Sequence, residues 1–312
     1  MFRQTKIQYL RPHPLLQPYV SFINISYVPS GSPDFLVKCA PDSESGLTFR
    51  DNGPVSLDGL SPAPPRYELL IAGPQKTFVD LHNRGLEFIS IVFKSGALRS
   101  VTGCPAWTLA GKRLPLERIW GQEAERLLDQ VVLAGDPESR LRIIETHLIE
   151  RITRHPVQDP FIFQALSHLN AQKGRGSLKS FFGKTGYSQQ HVTRLFKDSM
   201  GLSPKEYSRI ARFRHWFAAV HLHGDLDWTR VAMEHDYFDV PHLHHDFRKF
   251  TDQSPSQFMA DFQERGMVLP GNSDQSVLLY TDPSTRAGFS EWACQNPAPQ
   301  HSFNDRWGSG QV

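Results

Sequence analysis

The sequence predicts an α+β protein, with a small β-barrel or sandwich over about residues 1–115 and helices from there to about residue 262. Three observations carry this expectation. Short runs of β-branched and aromatic residues, bounded by Pro and Gly, fill the first segment. From Leu116 onward the apolar residues change to helical spacing. Further on, one helical unit is written twice, fifty-one residues apart.

Tyr19–Val28 and Leu86–Phe93 read as strands. Asp51-Asn52-Gly53, between Leu47-Thr48-Phe49 and Val55, predicts a tight hairpin, because Asn-Gly tolerates positive φ. Pro62-Ala63-Pro64-Pro65 can only be a loop. Leu116, Ile119, Trp120, Leu127, Leu128 and Val131 then follow a helical period. Asp136-Pro137 is a cap followed by a first-turn proline, and Leu141, Ile144, Leu148 and Ile152 line one face of the next helix. Two such helices pack on a neighbouring part of the chain or against a second copy, and the first is the ordinary outcome. The organisation expected is a β-rich unit (1–115), a helical linker (116–157), an all-α unit (158–262) and a tail (263–312). The tail is rich in Pro, Ser, Asn and Gly around isolated Trp292 and Trp307, and is expected to lack stable order.

The bulk numbers narrow the function classes. A chain of 312 residues has room for two cores, and a formal net charge of +2 excludes a polybasic, histone-like binder. Cys39, Cys104 and Cys294 are far apart, with no Cys-x-x-Cys, which excludes a zinc ribbon and argues against a disulfide framework. The start carries no apolar core of signal-peptide length, and no stretch approaches the roughly 20 apolar residues of a membrane span. A soluble, cytoplasmic protein is expected.

The repeat carries the function. Phe196-Lys197 recurs as Phe247-Arg248, Ser203-Pro204 as Ser254-Pro255, Tyr207 as Phe258, and the helix cap Ser188 as Asp239. Each copy has a short helix, a tight turn, a second helix bearing Arg, Lys or His, and then Ser-Pro. That is the layout of a helix-turn-helix, whose second helix enters the DNA major groove. In the first copy Leu178, Phe181 and Phe182 face the core from the supporting helix, and Gly186 makes the turn. The second helix buries Val192, Leu195 and Phe196 and presents Gln189, Gln190, Thr193, Arg194 and Lys197. Gln suits adenine, Arg suits guanine and Lys suits a phosphate. In the second copy Trp228, Val231, Ala232 and Met233 make the supporting helix, with Asp236 in the turn. The next helix buries Leu243, Phe247 and Phe250 and presents His242, His244, His245, Arg248 and Lys249. Tyr207 to His221, through Ile210, Phe213, Phe217 and Val220, reads as a continuous connector holding the two reading helices about one DNA turn, ~34 Å, apart.

Other readings of the same residues stand beside this one. Eight of the fourteen histidines fall between Lys173 and Arg265, and His242, His245 and Asp246 share a helix face near His221-x-His223. A metal-responsive regulator could use them, although a third or fourth zinc ligand has no obvious source. A helical adaptor that binds protein rather than DNA is the other alternative. An enzyme is not expected: residues 1–115 hold only His13 and His82, with no His-x-His, no phosphate-binding glycine loop and no nucleophile–base pattern. No cofactor is implied.

The stretches GYSQQHVTRLFKDSMGLSPKEY and YFDVPHLHHDFRKFTDQSPSQF, with ARFRHW opening the connector, resemble the AraC/XylS family of bacterial transcription regulators. The resemblance spans roughly residues 175–260 and includes both motifs, their order and their spacing. RPHPLLQPYVSFI, LLIAGPQKTFVDLHNRGLEFISIVFKSGAL and LPLERIWG more loosely resemble the cupin-like β domain that precedes this unit in one branch of the family. The resemblance implies a regulator that reads double-stranded DNA. It leaves RNA polymerase, a small-molecule effector and a second copy of the chain open as further partners. By position it puts base reading on Gln190, Thr193 and Arg194, and on Val240, His242 and His245, with Gln189 beside them. Lys197, Arg248 and Lys249 fall to phosphates. The departures are Phe182 in place of a small residue, Asp236 and Asp252 in place of glycines, and His245 in place of an Arg. Asp tolerates the left-handed conformation better than most residues, and a histidine makes the second motif a weaker binder that gains from acid.

Overall fold

The computed structural model describes residues 6–27, 35–39, 41–52, 66–77, 79–83, 87–155, 160–172, 186–223, 227–258, 260, 267–268 and 277–280. Its strands are β1 (Lys6–Leu10), β2 (Val20–Tyr27), β3 (Phe35–Cys39), β4 (Ser45–Asp51), β5 (Tyr67–Ala72), β6 (Val79–Asn83), β7 (Glu87–Phe93), β8 (Arg113–Pro115), β9 (Met267–Val268) and β10 (Val277–Tyr280). A six-stranded antiparallel sheet has the order β1-β2-β7-β4-β5-β8, and a four-stranded one the order β6-β3-β10-β9. The fold is therefore α+β, with an antiparallel β unit first and helices after it.

The larger sheet turns Ile23 and Ile25, Leu47 and Phe49, Leu69 and Ile71, and Ile89, Ile91 and Phe93 into one core. Their two-residue period follows from the pleat, and each such side chain contributes about 1.5–3 kcal/mol on burial. Helices α1 (Leu98–Thr102), α2 (Glu117–Trp120), α3 (Gln122–Leu133) and α4 (Pro137–Arg154) belong to the same core. Leu127 and Val131 from α3 and Leu141, Ile144, Leu148 and Ile152 from α4 are all buried in it. The Arg140 guanidinium donates to Glu87 at 2.7 Å. Arg151 donates to the carbonyls of Val101 (3.1 Å) and Thr102 (2.8 Å) and to Glu123 (3.0 Å). Residues 117–154 thus pack on the sheet as well as joining the two halves.

Two expectations need correcting. Besides β7, β4 pairs with β5, so Asp51 faces Tyr67 and Asn52 N donates to the Arg66 carbonyl at 2.7 Å, rather than either meeting a strand that starts at Val55. Residues 53–65 lie outside the described residues. Within the tail expected to lack order, Val277–Tyr280 pairs with β3 and Met267–Val268 pairs with β10. The run Val-Leu-Leu-Tyr has strong strand preference, and local composition gave it too little weight. Trp292 and Trp307 lie outside the described residues.

A second core is wholly helical. It joins α5 (Pro160–Ala171), α6 (Gln189–Met200), α7 (Pro204–His223), α8 (Trp228–Glu234) and α9 (Val240–Thr251). Phe196, Phe213, Phe247 and Phe258 are its fully enclosed aromatics. Among the described residues, no helix is long and apolar enough to cross a membrane.

Candidate nucleic-acid interface

The second helices of the two repeat copies, α6 and α9, follow the same local rules. Ser188 Oγ accepts from His191 N at 3.2 Å, and Asp239 Oδ1 accepts from His242 N at 2.7 Å. Each cap satisfies an amide that the first helical turn leaves open. Each helix has twelve residues and stops at a left-handed residue, Gly201 (φ +70) after α6 and Asp252 (φ +59) after α9. The turns that lead in contain Gly186 (φ +73) and Asp236 (φ +59), so both aspartates expected at glycine-like positions adopt that conformation. A reciprocal cap then follows in each copy. Ser203 N donates to Glu206 Oε2 (2.7 Å) and Glu206 N to Ser203 Oγ (3.2 Å). Ser254 N donates to Gln257 Oε1 (3.2 Å) and Gln257 N to Ser254 Oγ (3.3 Å). The Ser-Pro-x-Glu/Gln spacing was readable as a capping box.

In α6, Val192 and Phe196 are buried, Leu195 is half-buried, and Gln189, Gln190, Arg194 and Lys197 are exposed. Thr193 is half-buried, and its hydroxyl donates to the Gln189 carbonyl at 2.8 Å. Arg194 Nη2 lies 3.4 Å from His191 Nδ1, so its guanidinium runs along the exposed side. Leu178, Phe181 and Phe182 lie outside the described residues.

In α9, Leu243, Phe247 and Phe250 are buried while His242, His245, Arg248 and Lys249 are exposed. Val240 is half-buried against the helical core, so only part of it is open for a base contact. His244, read from the sequence as presented outward, instead stands edge-on to Trp228 at 5.4 Å with Nε2 shut off from solvent. That burial, with Arg248 nearby, lowers its pKa and favours the neutral ring. Met233 in the supporting helix is 76% exposed, because Val231, Ala232 and His235 take the inward face.

Asp246 does not join His242 and His245. It is buried and bound by Arg209, with Nη2 to Oδ1 at 2.8 Å and Nε to Oδ2 at 3.3 Å. Among the described residues no group of three His, Cys, Asp or Glu side chains is placed to hold a metal. Beside that pair, Arg212 donates to the Asp236 carbonyl at 3.3 Å and lies over the Tyr237 ring at 5.1 Å. The connector α7 thereby holds the second motif by two arginines as well as by Ile210 and Phe213. Their spacing in ARFRHW was visible, but nothing in the sequence named their partners. The side chains of Phe217, Val220, His221 and His223 lie outside the described residues.

Residues 183–261 match the family described as helix-turn-helix domain. The chain carries an AraC-type helix-turn-helix domain. An AraC-type domain binds double-stranded DNA, which makes the chain a DNA-binding transcription regulator by class. Residues 8–115 match a domain of unknown function. No curated protein matches the chain. Among solved structures, ToxT from Vibrio cholerae O395 is 10% identical over 82% of this chain and 96% of that one, with a TM-score of 0.37. The same protein bound to (E)-4-(8-methylnaphthalen-1-yl)but-3-enoic acid is 11% identical over 82% of this chain and 98% of that one, with a TM-score of 0.36.

Proposed function

We propose that the AraC-type domain reads a specific duplex sequence by placing α6 and α9 in successive major grooves, about one turn or ~34 Å apart. Gln189, Gln190, Thr193 and Arg194 read bases in the first half-contact, and His242 and His245 with the open part of Val240 read them in the second. Lys197, Arg248 and Lys249 hold phosphates. One observation carries this reading: in both copies of the repeat the apolar face is buried while the donor-bearing face is open. The β unit with α1–α4 serves as a sensing or dimerising domain, and the regulator works in the cytoplasm, where the chromosome lies. Selection of bound sites from random duplex DNA by the purified chain tests the reading. Two short conserved blocks one turn apart are expected, with affinity falling steeply as salt rises. Sequence-blind, salt-insensitive binding would point to a protein-binding adaptor instead.

A further inference from the structure

The first motif and the connector are seated on the β unit at three places. Ser199, Met200 and Leu202 at the end of α6 are buried. A Cβ on Gly201 would come within 2.9 Å of both the Ala106 carbonyl and the Pro74 ring, so the two surfaces meet at backbone distance. Lys76 Nζ donates to Glu206 at 2.7 Å. Tyr207 and, two turns along the same face of α7, Arg214 enter a polar knot. Arg214 Nη1 donates to Asp42 Oδ1 at 2.6 Å, and the Tyr207 hydroxyl, bonded to Asn170 at 2.7 Å, also reaches Ser43 and Ser95. Ser43 and Ser95 bond each other at 2.9 Å.

Glu44 stands inside this knot. Its Oε1 accepts from Ser21 at 2.5 Å, and its Oε2 is shut off from solvent with no partner among the described residues. The charged groups facing it are Asp42, Lys94 and Arg214. Asp42 already takes the short contact from Arg214, so a second negative charge here would meet a like charge and lose its water.

Resting on the DNA-reading function proposed above, we infer that this contact is a proton-linked latch. While Glu44 is neutral, Asp42, Ser43 and Ser95 hold Arg214 and Tyr207 and fix the AraC-type domain on the β unit. Ionisation of Glu44 loosens the seat and frees the connector that carries both reading helices. The carboxyl's environment agrees: burial first, then Asp42, pushes its pKa up to about 7, against the pull of Arg214, Ser21 and Lys94. The sign is fixed by linkage. The seated form binds the proton more tightly than the open form, so seating is strongest below the ordinary carboxyl range and is lost as pH rises through about 7. Between pH 6 and pH 8 the seating equilibrium should weaken about tenfold.

Hydrogen exchange of the full chain at pH 6 and pH 8, corrected for the chemical exchange rate, tests the latch without DNA. Amides of residues 96–102 and 199–207 should exchange about tenfold faster at pH 8. In Glu44→Gln, which is neutral at both values, the difference should shrink to within about twofold. Arg214→Gln should give fast exchange at both, with the far-ultraviolet dichroism of the wild type as the check on folding. A pH response that survives in Glu44→Gln, or none in the wild type, overturns the latch. DNA binding measured in parallel separates the two claims: a latch that behaves as stated in a chain that ignores duplex sequence leaves the latch standing and removes the reader.

Discussion

The two helix-turn-helix motifs share their grammar and differ in what holds them. Caps, left-handed stops and reciprocal Ser–Glu/Gln boxes recur in phase. The first motif sits on the β unit through Gly201, Met200 and the start of α7. The second is tied to the far side of the same connector by Arg209 and Arg212. Tyr187 after the first turn is half open and stacks on His191 at 4.9 Å, whereas in the second copy Tyr237 is buried and meets His242 edge-on at 5.4 Å, and Phe238 at the fifty-one-residue offset is 92% exposed. The two copies thus share the signals that start and stop helices, which are local, and differ in the long-range contacts that position each one. One connector meets the β unit through Glu206 and Arg214 and the second motif through Arg209 and Arg212.

The difference can be broken at its strongest point first. Asp246→Ala removes the partner of a partly buried guanidinium that, among the described residues, pairs with the second motif. Breaking such a pair costs about 3–5 kcal/mol when fully buried, and the residual exposure of Arg209 lowers the expectation to about 3 kcal/mol. Urea unfolding should show this loss, and exchange protection should fall in α8 and α9 before α6. Uniform loss across both motifs would mean they do not rest on separate supports. Gly201→Ala attacks the other support. The left-handed backbone and the collision with Ala106 and Pro74 together should cost about 2 kcal/mol, read by the same titration, with interface amides exposed most.

Reading power should also be unequal. Arg194→Ala is expected to weaken binding to a selected site by about 2 kcal/mol, roughly thirtyfold, and to relax preference at one or two base pairs. His242→Ala should cost about 1 kcal/mol, since an imidazole offers one good contact where a guanidinium offers two. Competition titrations against single-base variants of the site would measure both. Equal losses would remove the distinction between a stronger and a weaker half.

The repeat, both reading helices, their caps and most of their buried residues were legible because each is set within a few turns of chain. So were α4, with its cap Asp136 bonded to Ser139 N at 2.8 Å, and the strands around Phe22 and Ile89. Four features were not. His244 turns inward because Trp228 stands across from it, which the helical wheel alone does not contain. Asp246 looked like a metal ligand until Arg209, thirty-seven residues earlier, claimed it. β10 adds to β3 from more than two hundred residues away, where composition argues for disorder. The seat of Arg214 on Asp42 spans one hundred and seventy-two residues. Each depends on a partner that local periodicity cannot supply.

The smallest effect tests the shared grammar itself. Asp252 ends α9 at φ +59, where Gly201 ends α6, and no Cβ clash is in question because Asp already carries one. Asp252→Gly relieves about 1 kcal/mol of left-handed strain and gives part of it back through the greater freedom of glycine in the unfolded chain. A net gain of about 0.5 kcal/mol is expected from urea titration, with DNA affinity unchanged because the residue lies beyond the reading face. A loss of stability would show that the Asp252 side chain supports the helix end in a way glycine cannot, and the two stops would then be alike in backbone only.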